Sequence, residues 1–154
     1  MNSAEDRVVL APTDMSESSG RAVAHAAELA RCLGKRLVLL HVLPQHVVDQ
    51  RLDAGEFVDV QVSTARVVLQ EWYRRALPRP AREQVTAELE VCIGDPAAEI
   101  LATADERHAD MIVMATHGRT GPPRALFGSV AEAVLRRTTC PVLTLRASRE
   151  PVRA

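Results

Sequence analysis

The chain has 154 residues, of which 47% are hydrophobic and 25% charged, and its formal net charge is −1. That length suffices for one domain with a real core and is too short for two ordinary ones. Near-neutrality removes any bulk attraction to nucleic acid or an anionic membrane, and the apolar run between Arg36 and His41 is far too short to cross a bilayer.

Met1 to Arg7 is polar and acidic, unlike a secretory signal. Residues 1–6 are expected to be a disordered N-terminus, and 147–154 a flexible tail. Arg7 to Pro12 is continuously apolar after its first residue, as a strand buried on both faces requires. Ser16 suits the N-cap of a helix reaching Leu33, and Gly34 suits its stop. The alanines of that helix let it lie close to a sheet. Arg36 to Val42 is a second buried strand. Leu43 to about Val62 reads as irregular, with Pro44 and Gly55.

Ala65, Val68, Leu69, Trp72 and Ala76 then fall at helical spacing, with Trp72 expected in the core, and Pro78 and Pro80 end the helix. Thr86 to Ile93 reads as a third strand, near an edge. Asp95 caps a helix that has Pro96 in its first turn and runs to about His108. Asp110 to Ala115 is a fourth buried strand. After a loop, a helix runs from about Gly128 to Arg137, with Phe127, Val130, Ala131, Val134 and Leu135 on one face. Cys140 to Arg146 is the last strand. Strands alternating with helices imply an α/β domain with a mainly parallel sheet and helices on both faces.

Cys32, Cys92 and Cys140 are odd in number and widely spaced, with no CxxC. They are expected as buried small hydrophobes in a reducing cytosol. His41 reads as structural; His25, His46 and His108 read as solvated.

In open parallel sheets, ligands bind beyond the carboxyl ends of the strands, where strand order reverses. The segment after the fourth strand, Thr116 to Ser129, carries three glycines, two arginines and no carboxylate. Gly128 and Ser129 open a helix, whose free N–H groups and dipole favour an anion. The pattern is neither a P-loop nor a GxGxxG fingerprint. Asp14 suits either a turn or a ligand contact, and His117 either a ligand contact or loop packing.

The segments Val8–Asp14, Leu40–Val42, Ala115–Gly121, Leu126–Val130 and Thr139–Leu145 together resemble the universal stress protein family over about Arg7 to Arg146. The resemblance implies a three-layer, Rossmann-like open sheet of the adenine nucleotide α-hydrolase type. Its five or so parallel strands would lie in the order 3-2-1-4-5, flanked by four helices. The family's ATP-binding branch carries Gly-x2-Gly-x9-Gly-[Ser/Thr]. Gly118, Gly128 and Ser129 match it, whereas Ala115 stands in place of the first glycine. Its methyl would crowd a ligand packed on that Cα, but would matter little if Ala115 remains in strand conformation.

On this resemblance, Asp14 and Val42 sit at the adenine and ribose end, and Pro12 and Thr13 are further cofactor-binding residues. Met114 and Ala115 line the nucleotide's path, and His117, Gly118, Gly128, Ser129 and Val130 surround the phosphates. Arg119 and Arg124 neutralise charge, or are simply solvated. The implied cofactor is ATP with Mg²⁺ on its phosphates, without a dedicated metal cluster. The implied protein is a cytoplasmic stress-response module, dimeric through Pro141 to Leu145. Hydrolysis would be slow or absent, because His117 is the only weak candidate for a general base. The alternatives are a dimeric signalling module that binds no nucleotide and, last, an adenylate-transferring enzyme. The latter would need a pyrophosphate-gripping loop that Pro12 to Ser16 lacks.

Overall fold

The computed structural model describes residues 7–46, 56–117 and 127–146, with the side chains of 56 and 57 left aside. Five strands, β1 (Val8–Pro12), β2 (Arg36–Pro44), β3 (Ala87–Gly94), β4 (Ala109–Ala115) and β5 (Val142–Leu145), form one sheet in the order β3-β2-β1-β4-β5. Every neighbouring pair is parallel. β1 is central and buried at all its positions, which explains its unbroken apolar run.

Five helices are present among the described residues: α1 (Glu17–Leu33), α2 (Glu56–Ala76), the single turn α3 (Arg79–Arg82), α4 (Pro96–Glu106) and α5 (Ser129–Arg137). On one face of the sheet, Ala22, Ala26, Ala27 and Ala30 are buried on α1, whose small side chains let it approach the sheet. Leu69, Tyr73 and Leu77, in and just after α2, join them in one core cluster. On the other face, Ile100 and Ala104 of α4 and Ala131 and Val134 of α5 pack on Leu10, Leu40, Ile112 and Met114.

The ends follow local chemistry. Ser16 caps α1 by accepting from Ser19 N, and Gly34 closes it at φ 63°. Asp95 caps α4 by accepting from Ala98 N.

Several expectations give way. The stretch expected to be irregular from Leu43 to Val62 contains the end of β2 and, from Glu56, the first turns of α2. Val58 and Val60 there point to solvent, so no apolar stripe advertises the helix. Pro78 and Pro80, which end α2, also begin α3, with Pro78 as its N-cap. Among the described residues this makes five helices where four were expected. α4 stops at Glu106, because His108 turns the chain at φ 49°. Leu135 is 37% exposed, off the buried face of α5. Trp72 is half-buried against the α1–α2 cluster rather than enclosed. Cys32 is exposed, and Cys92 and Cys140 are half-buried. Cys32 lies one turn beyond Glu28 on the outer face of α1, opposite its buried alanines. His25, His46 and His108 are exposed as expected.

Candidate functional site

The chain leaves β1 toward β2 and β3, then returns across the sheet to place β4 on the other side of β1. The connections after β1 and β4 therefore diverge, leaving a crevice at their carboxyl ends. A cleft of about 470 Å³ occupies it, within the range of small-molecule sites.

Pro12, Thr13 and Asp14 enter the wall from the end of β1, and Val42 from β2. Met114, Ala115 and His117 enter from the end of β4, and Gly128, Ser129 and Val130 from the start of α5. Gly118, Arg119 and Arg124 lie outside the described residues. The wall also contains residues the sequence did not single out. Leu40, Pro44, Pro96 and Ile100 form an apolar side, and Ser19, His41, Thr116 and Ala131 complete the lining. Thr116 stood inside the glycine-bearing segment and could have been found there. Pro96 and Ile100 carry no such signal, because only the packing of α4 on the sheet brings them in.

The turn after β1 is tied down by its own polar groups. Thr13 N donates to Leu40 O at 2.8 Å. Its hydroxyl accepts from Met15 N at 2.9 Å and pairs with Ser19 Oγ at 2.8 Å. Asp14 Oδ1 accepts from Ser16 N at 3.0 Å, a turn role, and the side chain also lines the cleft. Met15 takes φ 61°, a conformation that L-residues other than Asn and Asp seldom adopt. His41 Nδ1–H donates to Thr13 O at 2.8 Å, because a carbonyl can only accept. The histidine expected to be structural thus braces the β1 turn and faces the cleft as well.

Ala115 is the last residue of β4 and pairs with Leu145. Its backbone is extended, so alanine carries no conformational penalty there, although it does line the cleft. Gly128 N donates to Thr116 O at 2.5 Å, which pins the start of α5 to the end of β4. No side chain caps α5, in contrast to α1 and α4. The first-turn amides beyond Gly128 therefore keep the unsatisfied character of a helix start. Its dipole favours negative charge there.

His117 Nδ1 lies 3.1 Å from Thr116 Oγ1, while its Nε2 is buried without a hydrogen-bond partner among the described residues. Among the described lining residues, Asp14 is the only carboxylate, and there is no lysine or arginine. No group of three or more potential metal-ligating side chains occurs among the described residues, and no described helix is long and apolar enough to cross a membrane.

A parallel three-layer α/β domain with a cleft at its strand-order reversal is the class that fold and site define. The chain belongs to the universal stress protein family, whose model matches residues 7–146. Universal stress protein MJ0531 of Methanocaldococcus jannaschii is 31% identical over 146 residues, covering 90% of this chain and 81% of the relative. The solved structure of MJ0577 has a TM-score of 0.73 at 22% identity, covering 96% of this chain and all of that one. A universal stress protein solved in complex with cAMP has a TM-score of 0.63 at 24% identity, over 92% of this chain and 98% of that one. One from Archaeoglobus fulgidus in complex with dAMP has a TM-score of 0.58 at 22% identity, over 90% and 96%.

Proposed function

We propose that the cleft binds an adenine nucleotide, with ATP as the expected ligand, and that the protein is a regulatory stress-response module. The observation that carries this reading is the uncapped start of α5 opening into the cleft at the strand-order reversal. An anion is the natural partner of such a helix end. The apolar lining residues Val42, Pro44, Pro96 and Ile100 suit a flat base, and Asp14, in the turn after the neighbouring strand β1, would partner the ribose. Gly128, Ser129 and Val130 would take the phosphates, with His117 beside them. Gly118 and Arg119, outside the described residues, complete the proposed set on the strength of the motif. The cAMP and dAMP complexes of family members support an adenine ligand. A Mg²⁺ ion would be held mainly by the phosphates, because the described residues supply no cluster for it.

The turn role of Asp14 leaves no positioned general base among the described residues other than His117, which supports slow or absent hydrolysis. The methyl of Ala115 in the cleft wall is the one observation favouring a non-nucleotide signalling module. A cytoplasmic location and a homodimer through Pro141 to Leu145 belong to the same proposal. The edge position of β5 and the 38% exposure of Leu143 support the pairing.

Calorimetric and thermal-shift titration with ATP, ADP and AMP tests the reading. A ligand at one hundred times its Kd adds about 2.7 kcal/mol, a rise of roughly 5–10 °C for a domain of this size. No shift and no heat with any of the three at millimolar concentration would exclude the proposal.

A further inference from the structure

An anion entering the described part of the cleft meets no fixed cation. It meets two imidazoles, His41 and His117, and the amides of α5. His41 is committed through Nδ1 to Thr13 O. His117 is differently placed. Nδ1 is satisfied by the Thr116 hydroxyl, and Nε2 is buried with no partner among the described residues. A buried polar atom without a partner is rare in native proteins and calls for an explanation, such as an ion or ligand that completes it. Its place is fixed by the approach of α5 to β4, since a β-carbon built on Gly128 would lie 3.6 Å from His117 Cα. The unpaired nitrogen therefore belongs to a residue packed against the uncapped start of α5.

We infer that His117 is a proton-linked anion ligand of this cleft, so that nucleotide binding takes up a proton and tightens as pH falls. The inference rests on the nucleotide reading given above. A neutral imidazole has only one N–H. If that proton sits on Nδ1 and donates to Thr116 Oγ1, Nε2 turns a lone pair toward the phosphate and repels it. The imidazolium donates from both nitrogens. It keeps the Thr116 contact and makes a charge-assisted bond to a phosphate oxygen. The Thr116 hydroxyl can accept in that state, so protonation breaks nothing already formed.

The charged and titratable neighbours allow this. From β1, Asp14 lines the same cleft. From β2 comes His41, and from α5 Glu132, which is exposed and paired with Arg136. Arg146, just after β5, is exposed. Arg119 and Arg124 belong to the loop outside the described residues.

The probe is cAMP, whose single phosphodiester charge does not titrate between pH 5 and 8, so any pH dependence belongs to the protein. Calorimetry of the full chain at pH 7, in two buffers of different ionisation enthalpy, measures the protons taken up. The expected result is net uptake, with Kd about fivefold tighter at pH 5.5 than at 7.5, as an upward shift of one unit from the ordinary imidazole value on binding requires. His117→Gln should bind with no uptake and a flat pH profile. Binding without proton uptake in the unaltered protein would overturn the inference and leave the nucleotide reading standing. Uptake that persists in His117→Gln would do the same. If neither cAMP nor ATP binds at any pH, both fall. Should His117→Gln not fold, the imidazole ¹⁵N shifts of the unaltered protein decide. The His117 titration midpoint must rise when cAMP is added, and an unmoved midpoint refutes the inference.

Discussion

Replacing Gly128 separates two explanations of why a glycine stands there. Its φ of −74° and ψ of 164° are open to any residue, so conformational freedom is not the reason. A β-carbon would lie 3.2 Å from Thr116 O, the same carbonyl that accepts from Gly128 N at 2.5 Å. What alanine would press on is therefore the protein's own backbone. Restricting the unfolded chain favours Gly128→Ala by about 0.4–1 kcal/mol. Alanine is a poorer N-cap by roughly 0.5–1 kcal/mol, and the tight contact asks the carbonyl to yield slightly. These effects nearly cancel, leaving a net change within about 1 kcal/mol and a Tm within roughly 2–4 °C of the parent. Valine adds two further carbons at the same point, and overpacking of that kind costs about 1–3 kcal/mol. The start of α5 must then move off β4 and carry its amides out of register with a bound phosphate. Losing one charge-assisted hydrogen bond, roughly 1.5–3 kcal/mol, weakens ATP by at least about tenfold. Thermal melts and calorimetric titration of both variants check this. A Gly128→Val protein with parental Tm and parental ATP affinity would refute the reasoning. The obstruction is thus set against Thr116 O rather than directly against the ligand.

Two further outcomes follow from charge and burial away from the cleft. The hydrogen bond from Arg7, helped by Lys35, holds the Asp110 carboxyl below its ordinary range. A depressed carboxyl stabilises the fold fully above its unfolded value, about 3.9, and loses that contribution as pH falls through the lower folded value. Asp110→Asn should therefore be less stable than the parent at pH 7, by no more than about 1 kcal/mol for so exposed a pair, with the gap closing below roughly pH 4 in urea titrations. Among the thiols, burial pushes Cys92 up to about 11, with Glu99 adding to the effect, and burial also raises Cys140, while Cys32 is exposed. At pH 8, a disulfide reagent such as DTNB should label one thiol quickly and two slowly, and Cys32→Ser should remove the fast phase alone.

Much of the architecture was legible because its causes are local. Unbroken apolar runs announced β1, β2 and β4, since strands covered on both faces need no polar side. The alternation in Thr86 to Ile93 announced an edge, and β3 is one. The start of α2 was illegible for the converse reason, because Val58 and Val60 face solvent and leave no stripe to read. Cys32 was misjudged because the exposure of a helical residue depends on which way the helix is rotated, and it falls on the outer face of α1. The β1 turn, the end of β4 and the start of α5 were legible as parts of one site, since their chemistry sits in contiguous segments. The far wall was not. Pro44 closes β2 opposite Gly94 of β3, and Pro96 and Ile100 arrive on α4, all remote in sequence from the glycine-bearing segment.

The amino-acid order alone determined the strands, the helix caps at Ser16 and Asp95, the stop at Gly34 and the parallel layering. Each follows from periodicity, side-chain hydrogen bonding or backbone sterics within a few residues. The tertiary structure alone decided that His41 braces Thr13, that Gly128 abuts Thr116, and that His117 is left with a buried nitrogen and no partner among the described residues. Those facts depend on sheet register and on how closely separate elements approach, distances that are set only when the whole core packs.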